Sequence, residues 1–138
     1  MLFTEARQIF VNNDGMVYVN SGKGELVVVS ADLATKNTWT SSNAHGSSTG
    51  PVSGGVSVAT IDSKRYAFIT TSDGYIYTLD VTDPLNITLV DTYMDGYKFN
   101  DIWVENSKVY VTSHDGFVIL LVAIPLAGTC EGSFSPVL

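Results

Sequence analysis

Apolar and polar positions alternate along this chain in short bursts and never settle into the spacing of a helix face. Runs rich in Val, Ile, Thr, Tyr and Phe are separated by clusters of Asn, Asp, Gly and Ser, which is how consecutive antiparallel strands and their turns read. The dipeptides Asp14-Gly15, Asp73-Gly74, Asp95-Gly96 and Asp115-Gly116 mark tight turns, because Gly accepts positive φ and Asp hydrogen-bonds its own backbone. At least three of them are expected to close hairpins.

Laid beneath one another, the runs form an internal repeat. Val17-Tyr18-Val19, Ala67-Phe68-Ile69 and Val109-Tyr110-Val111 each precede a polar turn, and Gly24, Gly74 and Gly116 each precede a further strand. Tyr18 to Ser30 aligns without gaps on Phe68 to Asp80, and Phe68 and Gly74 fall on Tyr110 and Gly116 in the third copy. Upstream, Ile9-Phe10-Val11, Val56-Ser57-Val58 and Ile102-Trp103-Val104 supply a first strand for each copy. The third strands, Leu26–Val29, Tyr75–Leu79 and Phe117–Val122, are apolar at successive positions, as a sheet covered on both faces requires. A fourth strand is visible as Ile87–Tyr93 in copy two.

Four strands per unit in units of this length predict an all-β fold of antiparallel β-propeller-type blades. About three four-stranded units make a single domain over residues 1–138, with blade 1 at about 2–50, blade 2 at about 51–97 and blade 3 at about 98–138. The stretch Tyr66 to Pro84, with its strand, Asp73-Gly74 turn, second strand and closing Asp80-Val81-Thr82-Asp83-Pro84, resembles the LVIVD-repeat β-propeller family. The resemblance extends over residues 55–125. Copy three has Ala123-Ile124-Pro125 where the family places Asp and Asp-Pro, and copy one keeps Val29-Ser30-Ala31-Asp32 without the proline. The likeness implies a propeller fold and a surface-associated protein, and implies no activity.

Propellers close with about four to eight blades. Three blades are expected to leave strand edges open and to find their completion in another chain, as a homo-oligomer or as a subunit of a larger assembly. The tail from Gly128 is read either as a fourth strand of copy three or as a strap reaching a neighbour, and a strand from Leu2 is the other element able to close a blade.

Charge narrows the partners. Seven basic residues against fourteen acidic ones give a net charge of −7, which repels a phosphate backbone, so nucleic acid is not an expected partner. The longest apolar run, Phe117–Ala127, is too short to cross a bilayer as a helix, so no membrane insertion is expected. No signal peptide is expected before Phe10. Cys130, the one cysteine, forms no intrachain disulfide.

Each candidate chemistry has a plainer reading. Gly46-Ser47-Ser48-Thr49-Gly50 fits the nucleophile pattern G-x-S-x-G but lies in a polar loop with no helix after it. His45 and His114, distant from each other and from Cys130, lack zinc spacing. No catalytic, cofactor or metal residue is therefore assigned. Asp73, Asp80, Asp83, Asp91, Asp95, Asp101 and Asp115 crowd the turns, where capping is preferred to the alternative of a structural calcium. Trp39, Tyr75, Tyr93, Tyr97 and Phe117 are possible ligand-binding aromatics, Trp39 being the one expected to be exposed; the plainer reading is packing between blades. Asn86-Ile87-Thr88 is a glycosylation sequon.

The sequence thus predicts a non-enzymatic structural or interaction module. It is expected to be an extracellular or surface building block of a cell, filament or virion that oligomerises by completing a propeller. A carbohydrate- or receptor-binding module with a glycan partner is the alternative.

Overall fold

A computed structural model describes residues 6–21, 24–41, 54–71, 73–94, 98–114 and 116, and the backbone of 118–122 and 134–137. Its strands are β1 (Gln8–Val11), β2 (Val17–Asn20), β3 (Glu25–Val29), β4 (Lys36–Thr40), β5 (Val56–Ile61), β6 (Lys64–Thr70), β7 (Tyr75–Asp80), β8 (Thr88–Met94), β9 (Phe99–Glu105), β10 (Lys108–Ser113), β11 (Val118–Val122) and β12 (Phe134–Val137). They form three four-stranded sheets, β1 to β4, β5 to β8 and β9 to β12, each in sequence order and antiparallel throughout.

Local chemistry sets the turns. The Asp-Gly pairs at 14–15, 73–74 and 115–116 fall between paired strands, and Gly15, Gly74 and Gly116 have φ of 83°, 94° and 82°. Asp95-Gly96 lies between two sheets and outside the described residues. The β5–β6 and β9–β10 hairpins turn on Asp62-Ser63 and Asn106-Ser107, all four at positive φ. That conformation matches the right-handed strand twist and is best tolerated by Asn, Asp and Gly.

The tail resolves one of the two alternatives. Phe134–Val137 pairs with β11 as the outer strand of its own sheet, so this segment is not a strap to a neighbour. Leu2 and Cys130 lie outside the described residues.

The sheets stack face to face around their inner strands β1, β5 and β9, with β2 and β6 also reaching the next sheet. Tyr18, Leu26 and Val28 of the first sheet meet Val56, Val58, Ala67, Ile69, Tyr77 and Leu79 of the second. Tyr66, Phe68 and Ile76 on the second sheet's other face meet Phe99, Ile102, Val109 and Val111 of the third. This explains why β3 and β7 carry apolar residues at consecutive positions: successive side chains point to opposite faces, and both faces of the middle sheet are covered. Residues Val17, Val19, Val27 and Val29 form a further cluster on the first sheet's other face.

Candidate interaction surface

Strand alternation gives each sheet a forward face, toward the next sheet in sequence, and a rear face, toward the preceding one. The repeat register keeps these faces constant. Tyr18 and Phe68 are equivalent, and each is buried on a forward face, at 0% and 2% exposure. Their third equivalent, Tyr110, stands on the forward face of the third sheet, where no described sheet follows, and is 37% exposed. Its cross-strand partner Trp103 is 58% exposed. On the rear side, Val56, Val58 and Ile102 are buried, while the equivalents of Val56 and Val58 in the first sheet, Ile9 and Val11, are 61% and 59% exposed. On the same rear face of the first sheet Val19, Val27 and Val29 are buried, so the exposed apolar side chains there are those of the inner strand β1. Each sheet retains two edges of its own, and what its neighbours cover is its flat surface.

Polar groups tie the covered faces in register. Asn20, fully buried, donates through Nδ2 to the carbonyl oxygens of Gly55 (2.7 Å) and Thr70 (2.9 Å). Gln8 accepts from the Val56 amide at 2.6 Å and donates through Nε2 to Asp101 Oδ1 at 2.8 Å, touching both other sheets. At the second junction the Val104 amide donates to Ser57 Oγ at 3.2 Å. The sheets approach so closely at Gly55 that an added Cβ would stand 2.7 Å from the Ile102 nitrogen and 2.9 Å from Asp101 Cα. Between the inner strands lies a cleft of about 280 Å³, bordered by Gln8, Phe10, Val56, Asp101, Trp103 and Tyr110 among others.

Arg65 joins the first two sheets at their rim, 2.7 Å from Asp14 Oδ2 and donating to Tyr18 Oη at 3.3 Å. Burial raises the Tyr18 phenol above its ordinary value, so the hydroxyl remains a neutral acceptor. Burial also opposes ionisation of Asp14, but the Met16 amide, the Arg65 guanidinium and the Asn12 amide together outweigh it and hold the carboxyl below its ordinary value. A depressed folded-state pKa stabilises above the unfolded pKa and ceases to do so as pH falls through the folded one. Acid should therefore weaken this junction below about pH 4. The Asp14→Asn variant should show a shallower loss of urea stability on acidification than the native chain; equal slopes would show that the pair contributes nothing to folding.

The aromatic candidates are distributed differently from one another. Trp39, expected to be exposed, is half-buried with its ring 5.4 Å from Tyr77, and Tyr75 stacks on Tyr77 at 5.6 Å and 8°. All three pack against the cluster between the first two sheets. Tyr93, also half-buried, packs against the second cluster. Tyr97 and Phe117 lie outside the described residues. The aromatics that do face outward, Trp103 and Tyr110, were not singled out by sequence reasoning. The signal was present in the repeat register, since both occupy forward-face positions of the last copy.

Turn chemistry accounts for the contacts of several acidic side chains. Asp14, Asp32, Asp80 and Asp83 each accept from the backbone amide two residues on, and Asp91 and Asp101 from that of the next residue. Asp73 accepts from Thr71 Oγ1. Among the described residues no three His, Cys, Asp or Glu side chains converge as metal ligands would. The exposed His114 continues the backbone pairing through its amide to Lys98. The segment Gly46 to Gly50, with His45, and residues Asp95 and Asp115 lie outside the described residues.

No protein-family model and no curated protein matches the chain. Among solved structures it is similar to the WD40 domain of SCAP from fission yeast, with a TM-score of 0.58 and 14% identity over 96% of this chain and 31% of that one. It is equally similar, at 0.58 and 13% identity, to a chain in the complex of the fission yeast SREBP–SCAP binding domains, over 97% of this chain and 37% of that one. The fold is that of a partial β-propeller. Its three sheets span about a third of the length of the solved chains they match. The likeness is to WD40 propellers, and no family model connects the chain to the LVIVD-repeat family.

Proposed function

We propose that this chain is a non-catalytic protein-interaction module, a run of propeller blades whose exposed apolar side chains on the first and third sheets are built to be covered by a partner. The observation that carries this reading is the exposure of Ile9, Val11, Trp103 and Tyr110. Large apolar side chains grouped on a surface mark an association site, whereas singly scattered ones do not. These four sit on the two faces whose equivalents elsewhere in the chain are covered. The SREBP–SCAP complex, which pairs binding domains of two proteins, lends the reading support by analogy of fold. So does the LVIVD-like stretch Tyr66 to Pro84, through that family's surface-associated members. The half-buried positions of Trp39, Tyr75 and Tyr93 give the sugar-binding alternative no open aromatic platform at those three residues.

The test is to follow an apolar fluorescent dye and the mass of the folded chain together. The faces should either bind dye as a monomer or be covered by association. Val11→Asp and Tyr110→Asp should reduce whichever is seen, with the β-sheet circular dichroism unchanged. A folded monomer that binds no dye would overturn the proposal.

A further inference from the structure

We infer that the cleft between the inner strands of the first and third sheets receives a basic side chain, best an arginine, from the partner. The inference rests on the interaction-module reading and names what that partner inserts. β9 and β10 pair Trp103 with Tyr110 and Asp101 with Thr112, and residues two apart on a strand share a face. These four therefore form one patch, and all of them border the cleft. Gln8 and Phe10 of β1 line its other side. Where the two sides meet, Gln8 Nε2 donates to Asp101 Oδ1 at 2.8 Å. The cleft is thus a slot with largely apolar and aromatic walls and a carboxylate at the point of contact.

Its unused chemistry points to a cation. Asp101 Oδ1 is engaged twice, by Gln8 and by the Ile102 amide, each at 2.8 Å. Among the described residues no hydrogen bond or ion pair reaches Oδ2. Trp103 is 58% exposed and Tyr110 37%, and among the described residues neither ring stacks on another aromatic. An aromatic face attracts a cation, and a planar guanidinium both stacks on such a ring and donates to a carboxylate. A sugar would need several hydrogen-bonding groups around the rings. Here both ends of the Gln8 amide are already committed, Nε2 to Asp101 and Oε1 to the Val56 amide. Size agrees with a single long side chain. The volume of about 280 Å³ lies just below the range of about 300–1,000 Å³ for pockets that enclose a whole small molecule. The net charge of −7 adds a long-range attraction for a basic partner.

The probe is a capped Gly-Arg-Gly peptide, compared with the same peptide carrying citrulline, which keeps the shape of arginine and is neutral. Binding is followed at the indole N–H resonances of the full chain, with Trp103→Leu identifying the Trp103 signal. The arginine peptide should move that signal to saturation and leave that of Trp39, packed on Tyr77, in place. Citrulline should weaken binding about fivefold or more. Asp101→Asn keeps the oxygen that accepts from Gln8 and Ile102 and removes the charge, so it should preserve the fold and abolish the preference for arginine. A diffuse attraction to the acidic surface would survive the loss of one acidic residue in fourteen.

Saturation at Trp103, the preference over citrulline and its loss in folded Asp101→Asn support the inference. An equal response to both peptides, a Trp103 signal that neither moves, or a preference that persists in Asp101→Asn would each overturn it. So would a Trp103 shift produced by cellobiose and not by the arginine peptide, which would make the cleft a sugar site. If Tyr110→Asp nonetheless reduces dye binding or association, the interaction-module reading survives that failure; a chain that shows neither effect loses both.

Discussion

Phe68→Ala should cost the folded chain about 3–5 kcal/mol, the range for deleting a fully buried aromatic, whereas Tyr110→Ala at the equivalent position should cost the monomer about 1 kcal/mol or less. Phe68 is 2% exposed, in the cluster with Ile102, Val109 and Val111, so its removal leaves a cavity between two sheets that hydrogen bonds hold in register. Tyr110 is 37% exposed and has no described sheet against it. Urea titration at a concentration low enough to exclude association measures both. The slope against denaturant should stay the same, so that the shift in midpoint reports stability alone. Equal losses at the two positions would mean that Tyr110 is as well packed as Phe68, and that the third sheet's forward face is closed.

Asn20→Leu should be the next largest loss. The substitution keeps the volume roughly constant and removes both Nδ2 bonds, so the Gly55 and Thr70 carbonyls lose this donor at the buried junction. The Gly55 carbonyl keeps the Thr70 amide at 3.1 Å, so the acceptor at stake is that of Thr70, and the expected cost is about 1–3 kcal/mol. Asn20→Asp is the informative companion, since a carboxylate keeps the shape but supplies no donor and repels both carbonyls. It should be at least as destabilised at neutral pH and should recover in part as acid protonates it. A midpoint within experimental error of the native one for Asn20→Leu would show that the Thr70 carbonyl is satisfied without it.

The strands, the unit length and the Asp-Gly hairpins were legible in the sequence because they are local properties: alternation, turn residues and the spacing between them. The fold class followed from their recurrence. The surface was harder. Trp39 lies in a polar, threonine-rich segment and reads as exposed, yet β4 packs its ring against Tyr77 of the second sheet. Trp103 sits among apolar neighbours Ile102 and Val104, yet it faces away from the second sheet and stands open. Hydropathy around a residue reports the strand it belongs to, not which of the strand's two faces has a neighbour. That depends on the residue's parity in the repeat and on whether its sheet is first, middle or last. The polar ties at Gln8 and Asn20 were not legible either, because their partners lie 35 to 93 residues away in sequence.

Because every ladder among the described residues joins strands that follow one another directly, none of these three sheets waits for a distant part of the chain before it can form. For an all-β fold this lowers contact order, and with it the entropy of loop closure that must be met before pairing is rewarded. Each sheet can assemble as soon as its own four strands have left the ribosome, and docking onto the sheet before it becomes a later, separate event. The first sheet is then present as a template while the second is still being made, and the last sheet spends the shortest time with its rear face bare.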